Sequence, residues 1–136
     1  LGSGQGSALG QLNAPLAVAL DAAADIALVA DRRQRVQQRP CAGNHRVQMF
    51  RLSDGTALRI LGSGKGSDLG QLNVPLGVAL DAAADIALVA DCKNDRVQVF
   101  RLSDGTALRI LGSGKGSALG QLSGPRGVAL DVAADI

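Results

Sequence analysis

Aromatic residues are nearly missing from this 136-residue chain, which has two Phe, no Trp and no Tyr. Any core must therefore be built from Ala, Leu, Val and Ile, which bury less area per residue than aromatic side chains do. Long apolar runs are also missing, so we expect neither a transmembrane helix nor a signal peptide. Two cysteines do not make a disulfide framework, and we therefore expect a reducing, cytoplasmic location.

Residues that carry catalytic and metal chemistry are scarce as well. Glutamate is absent, and His45 is the only histidine, so neither a Ser–His–Asp set nor a zinc site with several His or Cys ligands can be assembled. The DAAAD segments offer two carboxylates without the Gly turn of a calcium loop. The GSGKGS segments lack the first Gly and the following helix of a phosphate-binding loop. We therefore expect no enzymatic activity, no cofactor and no metal.

Internal repetition is the strongest feature of the sequence. Residues 61–91 repeat residues 1–31 with four differences, and residues 111–136 repeat residues 61–86 with five. A period of this length is typical of propeller or solenoid repeats. We predict one domain, 1–136, divided into a first repeat at 1–60 with an insertion at about 33–42, a second repeat at 61–110 and a truncated third repeat at 111–136.

Within each unit, alternating apolar residues lie between turn signals, which predicts four short strands. The predicted strands are near 77–81, 86–91, 96–102 and 107–111, with equivalents at 16–20, 26–31, 46–52 and 57–61. Alternation predicts that Leu108 and Ile110 face one side of the last strand and Arg109 the other, and likewise for Leu58, Ile60 and Arg59. Four strands per unit are typical of a β-propeller blade. The alternative, on propensity alone, is one helix over LAVALDAAADIALVAD.

Three segments, GNHRVQMF (43–50), NDRVQVF (94–100) and GQLNVPLGVALD (70–81), resemble the NHL repeat. The resemblance implies an all-β fold of four-stranded antiparallel β-propeller blades, which two and a half repeats would leave as an incomplete ring. Family blades usually carry Gly in the first turn, whereas DAAAD has none. Because Ala cannot adopt a positive φ as cheaply as Gly does, we expect that hairpin to be looser or differently registered.

Charge is unevenly distributed although the net charge is only +2. In an up-and-down blade, the turns after strands one and three emerge at one end, and those after strands two and four emerge at the other. This topology predicts an acidic end with eight Asp. It also predicts a basic end where Lys and Arg residues outnumber Asp31, Asp68, Asp91 and Asp95. The cations that we assign to the basic end as candidate binding residues are Arg32, Arg33, Arg35, Arg39, Lys65, Lys93 and Lys115.

The resemblance implies a non-catalytic interaction platform that binds a protein or peptide partner through its loops. One alternative is RNA binding through the basic end, although no aromatic residue lies there to stack on a base. Another is a substrate-recognition module like those of TRIM-NHL ubiquitin ligases. An enzyme like the NHL-related peptide-amidating lyase, which uses metal, comes last because histidines are lacking. Open blade faces would favour self-association, and no membrane partner is expected.

Overall fold

Two four-stranded antiparallel sheets form the fold in a computed structural model, which describes residues 2, 4, 8–12, 15–31 and 45–136. The first blade contains β1 (Pro15–Asp21), β2 (Ile26–Asp31), β3 (Arg46–Arg51) and β4 (Ala57–Leu61), and the second contains β5 (Pro75–Asp81), β6 (Ile86–Asp91), β7 (Arg96–Arg101) and β8 (Ala107–Leu111). Consecutive strands are hydrogen-bonded neighbours in both sheets. Each sheet is therefore an up-and-down blade, which confirms the predicted fold class.

The DAAAD segments form hairpin turns and not the middle of a helix. The strand pairing runs regularly to Asp81 opposite Ile86 in the second blade and to the equivalent pair in the first. Asp85 takes the left-handed position with φ 59°, and a short polar side chain tolerates that conformation better than most others. The N–H of Ala84 donates to Oδ1 of Asp81 at 2.9 Å, which closes the turn. The expectation of a looser hairpin was therefore wrong, and the expectation of a register different from that of family blades stays a prediction.

The side-chain alternation predicted for the last strand of each blade is also wrong. Phe50 pairs with Ala57 but Met49 pairs with Arg59, so one extra residue, Leu58, forms a bulge. A bulge shifts every later side chain to the other face of the sheet. Arg59 is consequently half-buried while Ile60 is 37% exposed. The same bulge occurs in β8, where Val99 pairs with Arg109.

The main core lies between the two blades. Its residues from the first blade are Leu28, Ala30, Val47, Met49 and Leu61, and those from the second repeat are Leu72, Val78, Ala87, Val89, Phe100 and Leu102. Arg59 reaches across the same boundary and donates from a terminal guanidinium nitrogen to the carbonyl of Ser103. Aliphatic side chains thus fill nearly all of this core, as the composition predicts.

The third repeat packs against the far face of the second blade. Leu122, Val128 and Leu130 contact a cluster formed by Leu88, Val97 and Val99. Segment 125–130 has no strand pairing, although its sequence is nearly that of β5. The division of the chain into three repeats remains a prediction. Among the described residues, no helix is long and apolar enough to cross a membrane.

Candidate functional site

The RVQ motifs at 46–48 and 96–98, in the first and second repeats, each hold a loop in place. Arg96 is buried and forms an ion pair from its Nε to Oδ2 of Asp91 at 2.9 Å. Its terminal nitrogens donate to the carbonyls of Ser67, Asp68 and Gln71 at 2.6, 3.0 and 2.8 Å. The guanidinium therefore fixes the Gly-rich loop that precedes the second blade. Arg46 makes the equivalent ion pair with Asp31 at 3.3 Å in the first blade.

The Gln of the same motif adds two more bonds to this loop. Oε1 of Gln98 accepts the N–H of Gly70 at 2.9 Å, and its Nε2 donates to the carbonyl of Gln71. Gln48 bonds the N–H of Gly10 and the carbonyl of Gln11 in the same way. These motif residues are structural, and their role is to hold the loops at the predicted basic end.

Three candidate binding residues of the basic end lie in the part of the chain that the structure describes, and their side chains are exposed. Lys65, Lys93 and Lys115 all reach solvent, and no carboxylate of the described residues lies within 4.0 Å of their amino groups. Asp31 and Asp91, which the sequence assigns to the same surface, are instead fully buried against Arg46 and Arg96. That part of the assignment was wrong, and the correction makes the exposed surface more positive. The insertion residues Arg32, Arg33, Arg35 and Arg39 lie outside the described residues.

Lys93 and Lys115 line one open pocket, which we call the basic pocket. Its volume is about 280 Å³, and Arg126 of the third repeat contributes a third cation. Asp95 is the one acid among the described lining residues, and its Oδ1 accepts the N–H of Gly124 at 2.8 Å. The described lining residues therefore carry three positive charges against one negative charge. Lys65 does not line it.

Backbone hydrogen bonds and one hydrogen bond to the Asp95 side chain fix the walls of the basic pocket. The first wall is the 3₁₀ turn Cys92–Asn94, where the N–H groups of Cys92 and Lys93 donate to the carbonyls of Val74 and Asn73 at 3.3 and 3.0 Å. The second wall carries Lys115, which pairs as a parallel bridge with Leu122. The third wall is Ser123, Gly124 and Arg126, joined to the first by the Asp95–Gly124 bond. The pocket is consequently formed before any ligand arrives.

The opposite end of the blades is acidic, and its carboxylates are used locally. Asp85 accepts the N–H and the hydroxyl of Ser103 at 2.8 and 2.6 Å. The backbone N–H of Thr106, followed by the Thr106 hydroxyl and Arg101, lowers the pKa of Asp104 to about 2. Within the described part of the chain, no group of three or more His, Cys, Asp or Glu residues could hold a metal ion. The carboxylates of these turns therefore have a structural role, which is to accept hydrogen bonds from the same turn or a neighbouring turn.

The only histidine has a structural position at the junction of the first two repeats. His45 is buried, and its Nδ1 accepts the N–H of Val74 at 2.9 Å. Asp95 accepts the N–H of Gly124 in the equivalent place one repeat later. Both side chains tie one repeat to the next, which is not the arrangement of a catalytic base.

A larger cavity of about 470 Å³ lies between the second blade and the third repeat. It is mainly apolar and is lined by residues that include Leu88, Val99, Leu111 and Leu130. Leu111 is 42% exposed here, whereas its equivalent Leu61 is fully buried between the two blades. The cavity thus marks the part of the blade face that the third repeat leaves uncovered.

Sequence reasoning missed Arg126, Ser123, Gly124 and Cys92 as members of a site. A signal for the first three was present in the differences between the second and third repeats. Of the five positions that differ, three line the basic pocket: Asn73 becomes Ser123, Val74 becomes Gly124, and Leu76 becomes Arg126. Near-identical repeats change little elsewhere, so this clustering marks the pocket.

Successive four-stranded blades with hydrogen-bonded loops at both ends define a protein of the β-propeller class. The family model for the NHL repeat matches residues 72–100, which run from the end of the Gly-rich loop through most of β7. The second repeat therefore contains a segment that is similar to the NHL repeat. A search of curated proteins gives no match. NHL-repeat domains generally mediate protein interactions and are generally non-catalytic, although some NHL proteins are enzymes.

Proposed function

We propose that this chain is a non-catalytic interaction platform that binds an acidic segment of a protein partner through the loops of its basic end. The observation that carries this proposal is the exposure of Lys65, Lys93 and Lys115, which have no carboxylate partner within 4.0 Å among the described residues. The loop that carries Lys65 is held in place by the buried Arg96. A positive surface of this kind attracts anionic partners by long-range steering. Rigid loops also lower the entropic cost of binding.

RNA binding is the alternative that shares this charge. Single-stranded RNA binding usually combines a basic groove with aromatic side chains on which bases stack. Both Phe residues, Phe50 and Phe100, are fully buried, and the chain has no Tyr or Trp. The composition therefore supports an acidic protein segment over RNA. A role as the substrate-recognition module of a ubiquitin ligase would be one use of the same platform, with the acidic segment supplied by the substrate.

The test is equilibrium binding of a fluorescently labelled peptide of alternating Asp and Gly, acetylated and amidated at its ends. A peptide of alternating Asn and Gly is the uncharged control, and a ten-nucleotide uridine RNA tests the alternative. We expect the acidic peptide to bind at low salt and to weaken as salt rises, because screening reduces attraction between exposed charges. Binding that does not distinguish the Asp from the Asn peptide would contradict the proposal.

Two charge variants locate the binding end. Substitution of Lys65, Lys93 and Lys115 together by Gln should weaken the acidic peptide, whereas Arg51→Gln with Arg101→Gln, at the acidic end, should not. A further variant with Arg32, Arg33, Arg35 and Arg39 replaced by Gln tests the insertion that the sequence predicts as a binding segment. We expect the insertion variant to fold normally, since the second repeat lacks an equivalent segment.

A further inference from the structure

The third repeat departs from the second at the basic pocket in a consistent chemical direction. Arg126 brings a cation where the second repeat has Leu76 and the first has Leu16. Gly124 replaces the β-branched Val74, which opens space beside Cys92: a Cβ at position 124 would lie 3.7 Å from the Cys92 sulfur. On the Gly-rich loop, the third repeat has Ala118, like Ala8 in the first repeat, where the second repeat has Asp68, so this loop lacks that carboxylate. These changes together add positive charge and room.

The pocket suits a small anionic group better than an extended polyanion. It is about 280 Å³ in volume, and its cations come from three separate loops that converge on it. Asp95 is the acid in its lining, and one carboxylate oxygen is already used by the Gly124 N–H. The three cations of the pocket are Lys93, Lys115 and Arg126, and none of them has a carboxylate within 4.0 Å among the described residues.

From this geometry we propose that the basic pocket is an anchor for a single carboxylate side chain, an Asp or Glu of the acidic protein segment. The inference rests on the proposed function, because it names the feature of the partner that the platform reads. Arg126 supplies the planar donor pair that matches a carboxylate, and the two lysines supply point charges at its sides. Specificity for an acidic residue thus resides at the boundary of the second and third repeats.

The first arm of the test replaces the pocket cations one at a time. Arg126→Leu restores the residue of the sister repeats, and Lys93→Gln and Lys115→Gln remove the two other charges. Each should weaken the Asp–Gly peptide about fivefold, an effect between that of an exposed ion pair and that of a hydrogen bond to a charged group. Arg51→Gln is the control, because Arg51 is an exposed cation at the acidic end and does not line the pocket.

The second arm uses Cys92 as a local reporter. This free thiol is half-buried and lines the pocket. In a Cys41→Ser background, the alkylation rate of Cys92 by iodoacetamide is measured with and without saturating peptide. Occupancy should slow alkylation several-fold with the Asp–Gly peptide and leave it unchanged with the Asn–Gly peptide. Iodoacetamide is neutral, so the measurement reports access and does not compete for the charge.

The outcomes separate this inference from the proposed function. If Arg126→Leu and the two lysine variants leave peptide binding unchanged and Cys92 stays reactive, the proposal of a carboxylate anchor is wrong. The proposal of an interaction platform is then retained. Protection of Cys92 by the uridine RNA and not by the peptide overturns the carboxylate anchor in favour of RNA. Absence of peptide binding to the parent chain at low salt overturns both. Circular dichroism of each variant establishes that it is folded, and Arg126 is exposed, so its replacement should not disturb packing.

Discussion

Two arginines on β7 test how much burial decides the strength of an ion pair. Arg96 and Arg101 both contact an Asp at 2.9 Å. The side chains of Arg96 and Asp91 are 9% and 0% exposed, whereas those of Arg101 and Asp104 are 43% and 49% exposed. We predict that Arg96→Ala is strongly destabilising and that Arg101→Ala is nearly neutral, although both changes delete one ion pair from the same strand.

The magnitude follows from what each arginine leaves behind. Removing one partner of a buried pair costs about 3–5 kcal/mol, because the other charge remains buried without compensation. Arg96→Ala also strands the carbonyls of Ser67, Asp68 and Gln71, which accept from its terminal nitrogens. Since small domains are stable by only about 5–15 kcal/mol in total, this loss consumes a large share of the stability. Arg101→Ala exposes Asp104 to water, which solvates it readily.

The assay is urea unfolding followed by far-ultraviolet circular dichroism. At a urea dependence of about 2 kcal/mol per molar, a loss of 4 kcal/mol lowers the midpoint by about 2 M. The midpoint of Arg101→Ala should stay close to that of the parent. Arg96→Lys retains the charge but not the planar donor fork, so its urea midpoint should lie between those of Arg96→Ala and Arg101→Ala. This variant can still be measured if Arg96→Ala does not refold. Equal midpoints for the two alanine variants would refute the reasoning from burial.

Three further predictions use the same unfolding assay. Leu61→Ala should cost about 2–5 kcal/mol as a buried core truncation, and the equivalent Leu111→Ala much less, because Leu111 is 42% exposed; similar costs would show that the two faces are equally covered. Gly77→Ala should cost about 1–3 kcal/mol, because its Cβ would lie 2.6 Å from the carbonyl oxygen of Arg126, and an unchanged midpoint would contradict that close approach. The pKa of Asp104 is lowered to about 2, so its contribution to stability is present above about pH 4 and is lost as the pH falls through 2. Asp104→Asn should therefore flatten the acid limb of stability against pH, and an unaltered limb would refute the assignment.

Most of the strand pattern could be predicted because the repeats carry strong turn signals. The alternation in β7 and the Asp104–Gly105 turn place two strands within a residue of their observed bounds. The bulge at Leu108 could not be predicted, because alternation over five residues contains no marker of an extra residue. Its effect is large, since it turns Arg59 toward the neighbouring blade, where it contacts Ser103.

The charges were harder to predict than the strands. Counting residues at each end of the blade placed Asp31 and Asp91 on the basic surface, whereas both are buried as partners of arginines that begin the next strand. Sequence spacing gives the end of a strand but not the direction of the side chain there. Arg126 was missed for a related reason: it comes from a different repeat, and only packing of that repeat on the second blade brings it to Lys93.

Because the repeats are nearly identical, the basic pocket can be compared with the equivalent positions of the other repeats in the same chain. The bonds that hold the loops, from Arg46 and Gln48 in one repeat and from Arg96 and Gln98 in the next, are the same in both repeats. Substitutions on those loops can therefore alter surface chemistry while the scaffold stays constant. Arg126 lies outside those two loops, but it is also an exposed surface change, since Leu occupies its place in both sister repeats. A purely structural drift would have no reason to favour a cation beside two others, since like charges repel. An anionic ligand supplies that reason, and Arg126→Leu should accordingly raise stability slightly in its absence while lowering affinity for the acidic peptide.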